Sequence, residues 1–173
     1  MILKTIRLIL RPQEQGDAAA LFSILGDGEA MRFWNRPALP YLAVAEELIT
    51  EQQVAASSGL CRYWTVLEED DPIGSVDLSL IDGAGAELGF LFRRDRWGHG
   101  LATEAAAAVV AEAFGALRLT RLAAAVQARN LAAVRVLEKT GFARVKQAQV
   151  RLPNGAASCA FYVQTRKPAV NAP

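Results

Sequence analysis

The chain has 173 residues, is 52% hydrophobic and carries a formal net charge of +1. That is enough apolar mass for one sizeable core, and too little charge for a disordered chain or a protein-wide attraction to nucleic acid or membrane. Two cysteines, Cys61 and Cys159, form no Cys-x-x-Cys pair, and with His99 as the single histidine a Cys/His zinc centre lacks ligands.

Taken in order, Met1-Ile2-Leu3-Lys4-Thr5-Ile6-Arg7 meets charge too early for a secretory leader. No apolar run reaches the roughly 18 residues of a membrane span, so the reading is a soluble, cytoplasmic protein with free thiols. Ile6, Leu8 and Leu10 alternate with Arg7, Ile9 and Arg11 as in a half-buried strand. Asp17 reads as the N-cap of a helix carrying Leu21, Phe22 and Leu25 and closed by Gly26 and Gly28. An aromatic and polar loop, Arg32-Phe33-Trp34-Asn35-Arg36-Pro37, precedes an amphipathic helix over 44–56. Strands follow at 62–67, 73–80 and 87–92, separated by the turns Glu69-Asp70-Asp71-Pro72 and Asp82-Gly83-Ala84-Gly85.

An alanine-rich helix is expected over 101–117, a strand over 121–127, and a helix over 130–139 stopped by Gly141. Strands at 143–151 and 159–165 flank the turn Pro153-Asn154-Gly155. Residues 1–166 then form a single domain and 167–173 a flexible tail. The order β-α-α-β-β-β-α-β-α-β-β places one strand-helix-strand unit among mostly antiparallel neighbours. It describes an α/β sheet protein, neither doubly wound nor a bundle.

Between the strand at 87–92 and the alanine-rich helix lies Trp97-Gly98-His99-Gly100-Leu101-Ala102-Thr103-Glu104-Ala105. Alternate glycines let the backbone turn and approach a ligand, and the next helix opens with unpartnered N–H groups at its positive end. Together these make an anion site, most naturally for phosphate. The loop alone is equally compatible with an ordinary turn or with a nucleotide-phosphate site.

That segment, with Asn130-Leu131-Ala132-Ala133 and Glu138-Lys139-Thr140-Gly141-Phe142, resembles the GCN5-related N-acetyltransferases (GNAT), and within them the ribosomal-protein N-terminal acetyltransferases (RimJ/RimL-like). The resemblance spans nearly the whole chain. It implies the GNAT fold: a mixed, mostly antiparallel sheet of about seven strands, helices on both faces, and a central β-α-β unit that binds acetyl-CoA. Gly100 and Ala102 fit the family's loop, whereas Trp97 stands where Gln or Arg is usual. By this resemblance the cofactor lies on Phe90, Phe92, Trp97, Gly98, His99, Gly100, Leu101, Ala102, Thr103 and Asn130, with Arg94 and Arg135 as phosphate partners. Arg93 and Arg96 crowd the same place. Asn130 also reads simply as a helix cap, and the phenylalanine side chains as core.

The implied activity is direct transfer of acetyl to a primary amine, a peptide N-terminus or a small molecule, with both reactants held together. Glu87 is the expected base through water, with Asp77 and Glu104 behind it. Phe33, Trp34 and Asn35, with Arg36 and the hairpin from Arg151 to Tyr162, are expected to bind the acceptor. Relatives often supply a general acid, a Tyr at the position of Leu137 or a Ser at that of Ala133, and neither hydroxyl is present. A thiol pKa of about 8.5 makes a thiolate a tolerable leaving group without one. The reading that competes is a non-catalytic acyl-CoA-binding module. No nucleic-acid or membrane partner is expected, and the resemblance allows a homodimer.

Overall fold

The computed structural model describes residues 1–153 and 155–166. Its strands are β1 (Leu3–Lys4), β2 (Leu8–Pro12), β3 (Arg62–Glu68), β4 (Asp71–Ser79), β5 (Gly85–Phe92), β6 (Arg121–Gln127), β7 (Ala143–Leu152) and β8 (Gly155–Thr165). The helices are α1 (Ala18–Leu25), α2 (Leu42–Ser57), α3 (Leu101–Phe114) and α4 (Leu131–Lys139). All eight strands join one sheet in the order β1-β2-β3-β4-β5-β6-β8-β7. Every pairing is antiparallel except β5 with β6. The tail expected at 167–173 and Asn154 of the last hairpin lie outside the described residues. No described helix is long and apolar enough to cross a membrane.

The eighth strand corrects the expectation of about seven. The amino-terminal run is a hairpin: Thr5 turns the chain, its N–H donating to the Leu8 carbonyl at 2.9 Å and its hydroxyl accepting from the Leu8 N–H at 3.0 Å. Ile6 therefore sits in the turn, 98% exposed, while Leu8 and Leu10 keep the buried face foreseen for them. The turn before β4 is also tighter than expected. Glu69 takes a positive φ of 57°, and Pro72 enters the ladder opposite Leu67 where the register slips, a place where a missing N–H is tolerated. The alanine-rich helix ends at Phe114 rather than 117, with Gly115 as its C-cap.

Alternate residues of a strand point to opposite faces, and β5 shows both. Ala86, Leu88 and Phe92 join the larger core with α3, α4, Leu10, Val66, Val76, Leu78 and Leu122. Leu91 joins a smaller core with Leu21 and Ile24 of α1, Met31 of the segment after α1, and Ile49 of α2. Ala105, Ala106 and Ala113 of α3 are fully buried, and their small side chains let the helix lie close to the sheet. Asp17 occupies the N-cap position of α1 but makes no cap bond. Its carboxylate instead accepts from both guanidinium nitrogens of Arg11, from the Thr65 hydroxyl at 2.6 Å and from the Glu14 N–H at 2.8 Å.

One irregularity of the sheet positions everything that follows. The parallel pair β5–β6 is in register only at Gly85–Arg121, Ala86–Leu122 and Glu87–Ala123. Beyond Glu87 the strands part, while β5 stays paired with β4 as far as Phe92 and β6 with β8 as far as Gln127. The backbone edge of β5 from Leu88 onward is left open toward β6.

Candidate active site

A cleft of about 750 Å³ occupies that opening, within the usual range for small-molecule sites. One wall is the loop between β5 and α3. Gly98 and Gly100 have φ of 81° and 77°, the left-handed region that glycine enters without strain. Among the described residues, none of the N–H groups from Gly98 to Thr103 has a hydrogen-bond partner. Six successive free donors at the start of a 14-residue helix make a cradle for a diphosphate, so the residues fit coenzyme A.

The loop is fixed from both sides. Trp97 donates its indole N–H to the Phe92 carbonyl at 2.8 Å, which gives the residue that departs from the family pattern a structural task. Arg7 donates to the His99 carbonyl at 3.0 Å and pairs with Glu104 at 2.6 Å. Glu104 also accepts from the Thr5 hydroxyl at 2.6 Å and the Arg7 N–H at 2.9 Å. Burial alone would raise the Glu104 pKa, but these donors outweigh it and hold the carboxyl below its ordinary value. Glu104 is thus committed to holding β1 and β2 against the loop, and does not line the cleft.

Most of the expected site residues do meet here. Phe33, Trp34, Asn35, Glu87, Phe90, Phe92, Trp97, Gly98, Gly100, Leu101, Ala102, Thr103, Asn130 and Arg135 all line the cleft. Two do not. Arg94 is drawn away by Asp27, 2.7 Å from its Nε, and the His99 ring lies outside the lining, its carbonyl held by Arg7. Arg93 is likewise taken, by Asp71 and Asp95. Arg96 faces the cleft while held by Asp71 at 3.3 Å. Asn130 caps α4, its Oδ1 accepting from the Ala133 N–H at 3.2 Å. Of the two positions lacking a hydroxyl, Ala133 lines the cleft and Leu137 is fully buried in the larger core.

Several lining residues carried no local signal. Gln127, at the parted end of β6, donates to the Phe33 carbonyl at 3.2 Å and ties the aromatic loop to the sheet. The last hairpin, expected at the acceptor end from Arg151 to Tyr162, lines the far wall with Leu152, Cys159 and Phe161, joined by Val150, whereas Tyr162 in the same hairpin is core, 1% exposed. Strand alternation separates Phe161 from Tyr162, but which face turns to the cleft is decided by the pairing with β6. Trp34 both lines the cleft and packs on the smaller core.

The floor carries two carboxyls. Asp77 of β4 pairs across the ladder with Gly89, and Ser79 with Glu87, so Asp77 and Glu87 are diagonal neighbours on one face. Gly89 makes room for this, since a Cβ there would collide with Asp77 Oδ1. Burial, then the Glu87 charge, pushes the Asp77 pKa up to about 7, and the Ser79 hydroxyl pulls the other way. Behind Asp77 lies a cavity of about 50 Å³ lined by Gln13, Gln52, Tyr63 and Ser75 among others. Burial raises the Tyr63 phenol well above its ordinary value, with Cys61 and Asp77 adding to the effect. No cluster of metal-ligating side chains occurs among the described residues.

The acetyltransferase (GNAT) domain matches residues 7–143 of this chain. Among curated proteins, the chain is 30% identical over 145 residues to an uncharacterized N-acetyltransferase, YoaA, of Bacillus subtilis, covering 82% of each chain. To the uncharacterized N-acetyltransferase p20 of Bacillus licheniformis it is 28% identical over 144 residues, 81% of each. Among solved structures, the ribosomal alpha-N-protein acetyltransferase RimL in complex with coenzyme A superposes with a TM-score of 0.86 at 13% identity, covering 95% of this chain and 98% of that one. Spermidine N-acetyltransferase from Vibrio cholerae, in complex with CoA and spermine, gives 0.82 at 20% identity, covering 93% and 96%.

Proposed function

The chain belongs to the GNAT acetyltransferase family, and from that membership we propose that its acceptor is an amine of low pKa, a protein N-terminal α-amine or a comparable small amine. It is an N-acetyltransferase that uses acetyl-CoA. The observation that carries the proposal is the composition of the cleft. Free amides at Gly98–Thr103 stand at one end, the opened β5 edge runs between, and two carboxyls, Asp77 and Glu87, stand on the floor.

The bound acetyl-CoA supplies an activated thioester. The protein's residues do the rest. Amides of the loop hold the diphosphate, and the unpaired edge from Leu88 to Phe92 offers backbone groups to the amide-bearing arm. A β5 N–H at Phe90 or Phe92 polarises the acyl carbonyl. Glu87 takes the proton that the acceptor must lose, through water. Phe33, Trp34 and Asn35 with Phe161 and Leu152 shut the acceptor end. Neither Ala133 nor Leu137 can give a proton to the departing sulfur, so it leaves as thiolate.

Acceptor choice follows from the amine. An α-amine titrates at about 7.7–8.0 and a lysine at about 10.4, so near neutrality the former is far cheaper to deprotonate. RimL, a ribosomal alpha-N-protein acetyltransferase, shares the fold, which supports this choice, and the spermidine enzyme is the small-amine counterpart. We take residues 1–166 as one such domain working in the cytoplasm. Thiol release at neutral pH, with peptides bearing either a free α-amine or only a lysine amine, tests the reading. The expected result is preference for the α-amine, with Glu87→Gln slower by ~10²-fold. Equal turnover of the two peptides overturns the acceptor assignment, and cofactor binding without turnover of any amine would leave an acyl-CoA-binding module.

A further inference from the structure

We propose that Asp77 is the resting place of the acceptor's proton: it forms one carboxyl pair with Glu87 and shares the proton that Glu87 removes. The inference rests on the reading that the acceptor amine is deprotonated at the floor of this cleft. Its basis is placement. Asp77 and Glu87 project from adjacent antiparallel strands on one face, and both line the cleft. Gly89 is the residue whose missing side chain lets the Asp77 carboxyl lie across β5.

What surrounds Asp77 suits a carboxyl that gains and loses a proton during turnover. Trp34 and Leu91 flank it in the cleft and in the cavity behind. Gln13, itself 9% exposed, lines that cavity with no partner for its Oε1 among the described residues, and so does Gln52. These acceptors and Ser75 make the rear of Asp77 polar without neutralising it. The titratable or charged groups facing it are Glu87 from β5, Tyr63 from β3 with Cys61 just before that strand, and Arg36 from the loop before α2. Tyr63 stays a neutral phenol, its pKa raised by burial, the Cys61 hydrogen bond and the Asp77 charge.

The protons balance as follows. The acceptor enters as an ammonium and gives one proton to the doubly ionised pair, leaving a neutral amine and a singly protonated pair. Attack forms the C–N bond and breaks the C–S bond. The sulfur leaves as thiolate and the second nitrogen proton passes to solvent, and the pair returns its own proton to solvent before the next turnover. Only the pair with Asp77 ionised can start the cycle. Since burial and the Glu87 charge push Asp77 up to about 7, activity rises as pH climbs through that value and Asp77 loses its proton.

Carboxyl-carbon NMR on the full chain with coenzyme A bound tests the pairing without any acceptor. Asp77 should titrate near 7, with Glu87→Gln moving the midpoint down and Ser79→Ala moving it up. A midpoint near the ordinary aspartate value of about 3.9, or one indifferent to both variants, overturns the proposal. Kinetics with the tripeptide Ala-Ala-Ala and with butylamine test the role. Asp77→Asn should lower kcat by ~10²-fold with KM for acetyl-CoA unchanged, and Ser79→Ala should shift the acid limb of kcat/KM upward. The acceptor's own titration cannot move with Ser79. A wild-type rate and profile in Asp77→Asn overturns the role. If that variant fails to bind coenzyme A by calorimetry, the Ser79→Ala profile decides. A wild-type chain that binds coenzyme A but acetylates neither amine defeats the acceptor reading instead, and the NMR midpoint still judges the pair.

Discussion

Asp17 shows what a single carboxylate can hold together. It is 3% exposed and receives donors from β2, β3 and the chain before α1. Burial alone would raise its pKa, but the bonds from Arg11, Thr65 and Glu14 outweigh that and leave it below the ordinary value. A carboxyl with a depressed folded-state pKa adds stability above its unfolded value of about 3.9, and that stability is lost as pH falls through the folded value. Urea unfolding followed from pH 7 downward should therefore show stability declining below about pH 4. Asp17→Ala should remove about 3 kcal/mol at pH 7, because Arg11 is left without its buried partner, and should flatten that part of the pH dependence. An unchanged midpoint at pH 7 would refute this.

Among elements, α4 is short, nine residues, and depends on its ends. Asn130→Ala removes the side-chain bond to the Ala133 N–H and should lower stability by about 1 kcal/mol in urea titrations, while Asn130→Asp keeps the cap. The helix was legible in sequence because a cap residue, an apolar stripe and a terminal Gly141 are local signals. The glycine loop was legible for the same reason, since two glycines fix backbone shape wherever they fold. The amino-terminal hairpin was not, because Ile6 reads as the first member of the alternation with Leu8 and Leu10, and the turn at Thr5 depends on bonds to Leu8 and Glu104. Arg94 was placed on the phosphates because its partner Asp27 lies far off in sequence, just beyond the end of α1. The surroundings of Asp77 were hidden for a related reason: they arise from the neighbours of β4 in the sheet. Contacts set by strand pairing leave little trace in a linear sequence.

For the whole molecule, ligand and fold are linked. A donor that binds only the folded chain stabilises it by about 2.7 kcal/mol at a hundredfold excess over Kd. For a chain of this size that is a rise in Tm of about 5–10 °C. Scanning calorimetry with coenzyme A should show it. Gly100→Val should abolish it, since a β-branched residue is strained at φ 77° and puts side-chain bulk where the loop amides must meet the diphosphate. A full thermal shift in that variant would detach the loop from cofactor binding.

The tether from Arg7 and Thr5 to Glu104 and the His99 carbonyl makes the amino terminus a support of the glycine loop proposed to hold the cofactor. A fusion partner or protease cut that dislodged the first hairpin would strip Glu104 of its donors and slacken a loop that lies far downstream in sequence. Damage at the front of the chain would then register as weakened affinity for coenzyme A while the acceptor end kept its shape.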